Sequence, residues 1–167
     1  MEGTKRPRRH TRVREAAPKR HEAGEVSRPG AKGEEVAGVL LDSDVIIEIL
    51  RGRRETLEEF RRIAEAGVRT YCSPVAYAEI LRRLRPGEEA VTEEFFQSRG
   101  QVVIDGKIGR RAGSYLARYS RSHGLEIADA FVAACASSTG LHLWTRNRRD
   151  YPMPDLRLYE PPGQMPR

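Results

Sequence analysis

Four carboxylates lie at the edges of apolar segments in this chain of 167 residues: Asp42, Glu79, Asp129 and Asp150. Each follows a predicted strand or lies on a predicted helix beside one, so an α/β fold can gather them into one crevice. Neighbouring carboxylates repel and raise each other's pKa. A hard divalent cation relieves that repulsion, and oxygen-rich sites suit magnesium or manganese. The arrangement therefore predicts a metal-dependent hydrolytic site.

Each acid also has a structural explanation when it is taken alone. Asp42 directly follows a buried strand, where an N-cap for the next helix is common. Glu79 lies in the middle of a predicted helix and has the option of facing solvent. Asp129 is harder to explain, because the stretch 128–137 around it is almost wholly apolar and small. A carboxylate in such surroundings needs a cation or several hydrogen-bond donors.

The segment 145–150 places a hydroxyl, an amide, three guanidinium groups and a carboxylate directly after a predicted strand. One interpretation is a turn in which an Asn or Asp side chain bonds the backbone. The other is a loop that positions water or a metal and also holds phosphate. Further arginines near Arg51 would suit a polyanion passing over the acids.

Charge and hydropathy limit the class of protein. The formal net charge is +6, and residues 1–37 supply +4 of it with ten Lys or Arg against six Asp or Glu. No apolar run approaches the ~20 residues needed to cross a bilayer. The N-terminus lacks the hydrophobic core of a secretory signal, so we expect a cytoplasmic location. Cys72 and Cys135 lie in apolar segments, which predicts buried free thiols.

The hydrophobic pattern predicts strands alternating with helices. Residues 1–37 read as a disordered basic tail, 38–162 as one domain and 163–167 as a short C-terminal tail. Strands are expected at 39–41, 68–72, 102–104, 141–144 and 156–159, with crossover helices between them. Such an order gives a mainly parallel sheet between helical layers, with function at the carboxyl ends of its strands.

Three local patterns fix where helices begin and which side they bury. Thr56 with Glu59 three residues later predicts a capping box. Ser73 and Pro74 predict an N-cap and first helical residue. The spacing of Val75, Ala78 and Leu81 predicts the buried face of the helix that follows.

In this order, four segments resemble the PIN-domain nucleases, specifically the VapC-type toxins of toxin–antitoxin pairs. They are 39–47 (VLLDSDVII), 73–80 (SPVAYAEI), 127–134 (IADAFVAA) and 143–153 (LWTRNRRDYPM). The likeness spans roughly Val39 to Pro161. It implies a three-layer α/β/α PIN-like fold with a central, mainly parallel twisted sheet.

The resemblance also implies an endoribonuclease that depends on Mg²⁺, with Mn²⁺ as an alternative. Asp42, Glu79 and Asp129 match the family's metal-binding acids, and either Asn147 or Asp150 fills the fourth acidic position. Glu79 or Asp150 would align the attacking water. The remaining residues have assisting roles: water or substrate positioning by Ser43, Thr145 and Asn147, and phosphate contacts by Arg51, Arg146, Arg148 and Arg149.

The implied partners are an RNA substrate, a second copy of the chain and a cognate antitoxin that blocks the acids. The basic tail is then either an RNA-contacting arm or inert. One alternative is a module that binds RNA or antitoxin without cutting, since an amide at Asn147 weakens the metal site. Another is a phosphatase of the haloacid dehalogenase type using Asp42 and Asp44, although Ile46 stands where that family has threonine.

Overall fold

The computed structural model describes residues 37–161, so apart from Ala37 the two predicted tails lie outside the described residues. The strands are β1 (Val39–Leu41), β2 (Thr70–Cys72), β3 (Gly100–Gln101) and β4 (His142–Trp144). The helices are α1 (Ser43–Leu50), α2 (Arg54–Glu65), α3 (Pro74–Arg82), α4 (Glu89–Gln97), α5 (Gly106–His123) and α6 (Ile127–Thr139), followed by a 3₁₀ turn at Arg148–Asp150. No helix among these residues is long and apolar enough to span a membrane.

The four strands form one parallel sheet in the order β3-β2-β1-β4. Leu40 in the central strand β1 pairs with Tyr71 on one side and Leu143 on the other. The strand predicted at 156–159 is reduced to one parallel bridge between Leu143 and Leu158. All three residues of β1 are apolar and fully buried, as expected for a parallel strand covered on both faces. The predicted parallel sheet is confirmed.

Side chains that alternate along β1 divide the core into two halves. Val39 and Leu41 pack with residues of α1, α2, α3 and α4. Leu40 packs on the opposite face, with residues of α5 and α6. The predicted three-layer α/β/α arrangement is therefore confirmed, and both cysteines are buried free thiols as expected.

The capping box predicted at Thr56 is wrong. Helix α2 begins two residues earlier, at Arg54, and its N-cap residue makes no side-chain capping bond. Thr56 is fully buried and donates its hydroxyl to Glu48 at 2.5 Å. The Thr56 hydroxyl therefore bonds the Glu48 carboxylate of helix α1 instead of capping α2.

The buried face predicted for α3 is only partly right, although the helix begins as expected: Val75 is partly buried and packs against the core, but Ala78 is exposed. Ser73 accepts a hydrogen bond from the amide of Ala76, and Pro74 is the first helical residue. The residues that enter the core are Ala76 and Ile80, whereas Leu81 is 50% exposed. Because the helix starts directly after β2, the direction in which that strand ends sets its rotation.

Strand β3 lies two residues before the predicted segment 102–104. Val102 is buried and still donates its amide to the carbonyl of Cys72, but Val103 is 78% exposed. Gly100 faces the ring of Tyr71, which would lie 2.3 Å from a Cβ there. The close approach of this aromatic ring fixes where the strand pairs, and the apolar run begins only as pairing ends.

Candidate functional site

The predicted acids lie on segments that meet at the carboxyl edge of the sheet. Asp42 directly follows β1, and Glu79 lies on α3, which starts right after β2. Helix α6 precedes β4 and runs back across the sheet, so its first turn, carrying Asp129, lies at the same edge. The loop with Asp150 follows β4. Parallel topology thus brings four distant segments to one edge.

Asp42 is held in place from two sides. It is the N-cap of α1 and only 7% exposed, and its Oδ1 accepts the amide of Ser43 at 2.8 Å. Its Oδ2 accepts the hydroxyl of the buried Tyr151 at 2.8 Å. Burial, and next the charge of Asp44, raise the pKa of Asp42 to about 6. Asp42 therefore caps helix α1, as the structural explanation predicted, and its ionised form is also disfavoured by burial and by the charge of Asp44.

Tyr151 connects the two halves of the acidic crevice, and sequence reasoning did not assign it a role. Burial raises the pKa of its phenol, and the charges of Asp42 and Asp129 raise it further. The hydroxyl that contacts Asp42 is thus within electrostatic reach of Asp129 as well. Its position directly after Asp150 was the one available signal.

We expect Tyr151→Phe to raise the pKa of Asp42 further above about 6, because the hydrogen bond from the tyrosine hydroxyl favours the ionised carboxylate. The measurement is a ¹³C NMR titration of the Asp42 carboxyl in metal-free protein. Tyr119→Phe is the matched control, since Tyr119 lies on α5 and packs against Tyr115 and His123. An unchanged or lowered Asp42 pKa in Tyr151→Phe contradicts the expectation.

Asp129 is surrounded by other carboxylates. Burial, followed by the charges of Asp150, Glu126 and Glu79, raises its pKa to about 6. Asp150 and Glu79, both predicted from the sequence, are therefore within electrostatic reach of it. Glu126 was not predicted, although its position three residues before Asp129 places both on one helix face.

The loop after β4 is organised by its own polar side chains. Asn147 donates its amide nitrogen to Oδ2 of Asp150, and its backbone amide donates to Oγ1 of Thr145 at 3.0 Å. Asn147 and Asp150, the two alternatives for the fourth acidic position, are thus bonded to each other. The amide orients the carboxylate, so the two act as one unit.

A second polar cluster braces this loop against α1 and α2. Asp44 accepts the backbone amide of Arg146 at 2.9 Å. The guanidinium of Arg146 donates to Glu48 at 2.9 Å and to Thr56 at 2.6 Å. Burial raises the pKa of Glu48, but the bonds from Thr56 and Arg146 outweigh it and the net shift is downward. We call Asp44, Glu48, Thr56 and Arg146 the loop brace.

The four arginines predicted to contact phosphates differ in whether their guanidinium groups already bond other residues of the chain. Arg146 is committed to the loop brace. Arg148 bonds Glu160 and the carbonyl of Tyr159. Arg51 and Arg149 are exposed. Two of the four guanidinium groups are therefore occupied within the fold.

The donor chemistry of the crevice fits a hard divalent cation. Asp42, Glu79, Asp129 and Asp150 offer only oxygen, and the pKa of Asp42 and of Asp129 is raised as expected for carboxylates without a counter-charge. In residues 37–161 no three Asp, Glu, His or Cys side chains stand at positions ready to hold a metal.

Comparison with known proteins places this geometry in context. A family model described as "PIN domain" matches residues 39–153. Ribonuclease VapC19 of Mycobacterium tuberculosis is 30% identical over 120 residues, covering 71% of this chain and 96% of that protein. Ribonuclease VapC10 of the same organism is 33% identical over 132 residues, covering 77% of this chain and 95% of that protein.

Solved structures agree in fold. DNA-bound VapBC from Salmonella typhimurium has a TM-score of 0.63 at 22% identity, covering 73% of this chain and 96% of that one. A toxin–antitoxin complex from Klebsiella pneumoniae has a TM-score of 0.58 at 23% identity, covering 71% of this chain and 95% of that one.

Proposed function

Because this chain belongs to the PIN-domain family, we propose that it is a metal-dependent endoribonuclease that acts as a VapC-like toxin. The two curated relatives are named as ribonucleases, and the similar solved structures are toxin–antitoxin complexes. The observation that carries the proposal is the mutual repulsion around Asp129, to which Asp150 and Glu79 contribute from separate segments. Acids gathered at such a cost are typical of a site that binds a cation.

In this proposal Asp42, Glu79 and Asp129 hold Mg²⁺, or alternatively Mn²⁺. When bound, the ion polarises the scissile phosphate and lowers the pKa of water. Tyr151 and the amide of Ser43 keep both oxygens of Asp42 in a fixed orientation. That orientation reduces the entropy lost on binding.

The remaining loop residues prepare the attack on phosphorus. Asp150 accepts the proton of the attacking water, and the amide of Asn147 keeps its carboxylate turned toward the crevice. Glu79 is the alternative base. Thr145 helps to hold the loop in place, because its hydroxyl accepts a hydrogen bond from the backbone amide of Asn147.

The proposed partners follow from the same family membership. RNA is the substrate, a cognate antitoxin covers the acids, and two copies of the chain form a homodimer. The protein works in the cytoplasm, where both RNA and antitoxin are made. Exposed Arg51 and Arg149 are the predicted phosphate contacts with free guanidinium groups.

A binding module without activity is the second candidate function. It is favoured by Asn147, which places an amide at one of the two candidate positions for the fourth acid. The phosphatase alternative receives less support, since Asp44 accepts the backbone amides of Val45 and Arg146 and so braces the fold.

The test is cleavage of a mixed RNA pool by the full chain in Mg²⁺, in Mn²⁺ and in EDTA. We expect cutting with either metal and none in EDTA. Asp129→Asn should reduce the rate by roughly 10²- to 10⁴-fold, the range typical of a lost catalytic group. Tight RNA binding without metal-dependent cleavage of any RNA in the pool would instead establish the binding module.

A further inference from the structure

Helix α5 carries a charge unlike that of the rest of the domain. It contains one lysine and four arginines and no carboxylate, a net charge of +5. Residues 38–167 have a net charge of only +2, so the same region without α5 carries −3. The positive charge of the domain is therefore concentrated on a single helix.

Four of these cations share the solvent face of the helix. Their spacing of three, eight and three residues keeps them within a narrow sector of a helix of 3.6 residues per turn. Ile108, Ala112 and Tyr115 enter the core from the opposite side. We call the exposed row the α5 ridge, and it consists of Lys107, Arg110, Arg118 and Arg121.

The stability of the helix does not account for this row. Cations in the last turn complement the helix dipole, which explains Arg121. Lys107 and Arg110 lie near the first turn, where the dipole disfavours positive charge. Asp105, the N-cap, is near both and its pKa is lowered, first by the amide of Ile108 and also by their charge. Asp105 therefore offsets only part of the unfavourable interaction between the helix dipole and the charges of Lys107 and Arg110.

The ridge cations remain available to a ligand. Among the described residues, ion pairs within 4.0 Å occupy Arg53, Arg54, Arg62, Arg111, Arg146 and Arg148 but none of the four ridge residues. Ser114 lies between the two pairs of cations and is exposed. Beside the ridge, a Cβ at Gly113 would meet nothing within 4 Å, so this flank is open.

The ridge leads toward the acids. Tyr115 in the middle of α5 donates to Ser137 near the end of α6 at 2.9 Å, so the two helices form an antiparallel hairpin. Residues 124–126 connect them, and Asp129 lies in the first turn of α6. The Arg121 end of the ridge is therefore next to the acidic edge. The ridge extends about 21 Å away from it at 1.5 Å per residue.

We propose that the α5 ridge binds the phosphates of an RNA strand beyond the bond that is cut, an inference that rests on the proposed ribonuclease function. A row of exposed cations that form no ion pair within 4.0 Å, with an open flank, fits an extended polyanion, although Arg118 also lies 6.0 Å from the centre of the Tyr119 ring. Ser114 supplies a hydroxyl for one further phosphate oxygen. The ridge holds several nucleotides of substrate, which enter or leave the site along α5.

The first experiment measures RNA binding in EDTA, so that the strand stays intact. The variant Arg110→Gln/Arg118→Gln/Arg121→Gln is compared with Arg61→Gln/Arg69→Gln/Arg85→Gln, which removes the same charge from exposed positions on other elements. Both are made in the full chain. For single strands the salt slope falls by about 0.7 per lost phosphate contact, so we expect a decrease of about 2 for the ridge variant. The control should change the slope by less than about 0.5.

A second measurement separates this proposal from the ribonuclease function. In Mg²⁺ the ridge variant should cut an RNA too short to reach α5 at the wild-type rate, while kcat/KM for a long RNA falls roughly 10-fold or more. If the wild-type protein cuts no RNA, the proposed ribonuclease function fails. The salt dependence of RNA binding in EDTA still tests whether the α5 ridge binds RNA. Equal slopes for ridge and control variants overturn the ridge proposal. So does a ridge variant that binds RNA normally but loses dimer or antitoxin binding.

Discussion

Asp42→Asn should abolish metal-dependent RNA cleavage and at the same time stabilise the metal-free fold. The pKa of the buried Asp42 carboxyl rises from 3.8 to about 6 on folding, so the ionised form is less stable in the folded protein than in the unfolded chain. This cost is absent below about pH 4, grows as the pH rises to about 6 and is complete above it. A rise in the Asp42 pKa from 3.8 to about 6 corresponds to about 3 kcal/mol at pH 7.5.

Asparagine keeps the local structure while it removes the charge. It is as good an N-cap as aspartate, and its oxygen accepts the Ser43 amide, while its amide nitrogen donates to the hydroxyl oxygen of Tyr151 and so reverses that hydrogen bond. Urea denaturation in EDTA should therefore give a higher free energy of unfolding for the variant at pH 7.5 and nearly equal values at pH 4. Added Mg²⁺ should stabilise wild type by about 2.7 kcal/mol at 100 times its Kd and leave the variant unchanged.

Asp105→Asn is the matched control for this experiment. Asp105 is also an N-cap, on α5, but its pKa is lowered by the amide of Ile108 and other donors, so its ionised form is favoured by folding. Replacement at Asp105 should weaken rather than strengthen the fold at pH 7.5 and leave cleavage intact. Two outcomes count against the account of Asp42: persistent cleavage, or a less stable Asp42→Asn protein in EDTA.

Sequence patterns were sufficient for the strand and helix boundaries that adjacent residues determine. The apolar run of β1 before Asp42, and the pair Ser73 and Pro74 at the start of α3, determine those boundaries from adjacent residues. Alternating strands and helices then require crossovers and a parallel sheet. The placement of Asp42, Glu79 and Asp129 at one edge follows from that topology.

Contacts between residues far apart in the chain could not be predicted from local or periodic sequence patterns. Tyr151 meets Asp42 across 109 positions, and Arg146 meets Glu48 across 98. Sequence reasoning assigned Tyr151 no role and predicted a phosphate contact for Arg146, because a hydrogen bond between distant residues leaves no periodic pattern in the sequence. Thr56 illustrates the opposite error, since a local capping pattern was overridden by a partly buried carboxylate, Glu48, from another helix.

Arg146→Ala should lower both stability and cleavage because it removes the centre of the loop brace. The guanidinium bonds Glu48 and Thr56; Thr56 is fully buried, and the side chains of Arg146 and Glu48 are 29% and 24% exposed. Hydrogen bonds to charged groups contribute about 1.5–3 kcal/mol, so we expect a loss of about 2 kcal/mol at pH 7.5. The Glu48 pKa is lowered from 4.5 on folding, and hence the loss should shrink as the pH falls below 4.5 and through the lower pKa of the folded protein.

Cleavage should fall roughly 10- to 100-fold, because the loop that carries Asn147 and Asp150 loses its anchor and a small misplacement of catalytic groups costs about 10²-fold. Arg149→Ala is the comparison variant, since Arg149 is exposed on the same loop and is a proposed phosphate contact, so its loss should leave stability unchanged. The two roles suggested for Arg146 give opposite signatures. A phosphate contact predicts a raised KM and a smaller salt slope with unchanged stability. An anchor predicts a lower kcat, an unchanged salt slope and unfolding at a lower denaturant concentration. Only this second set of results supports the loop brace.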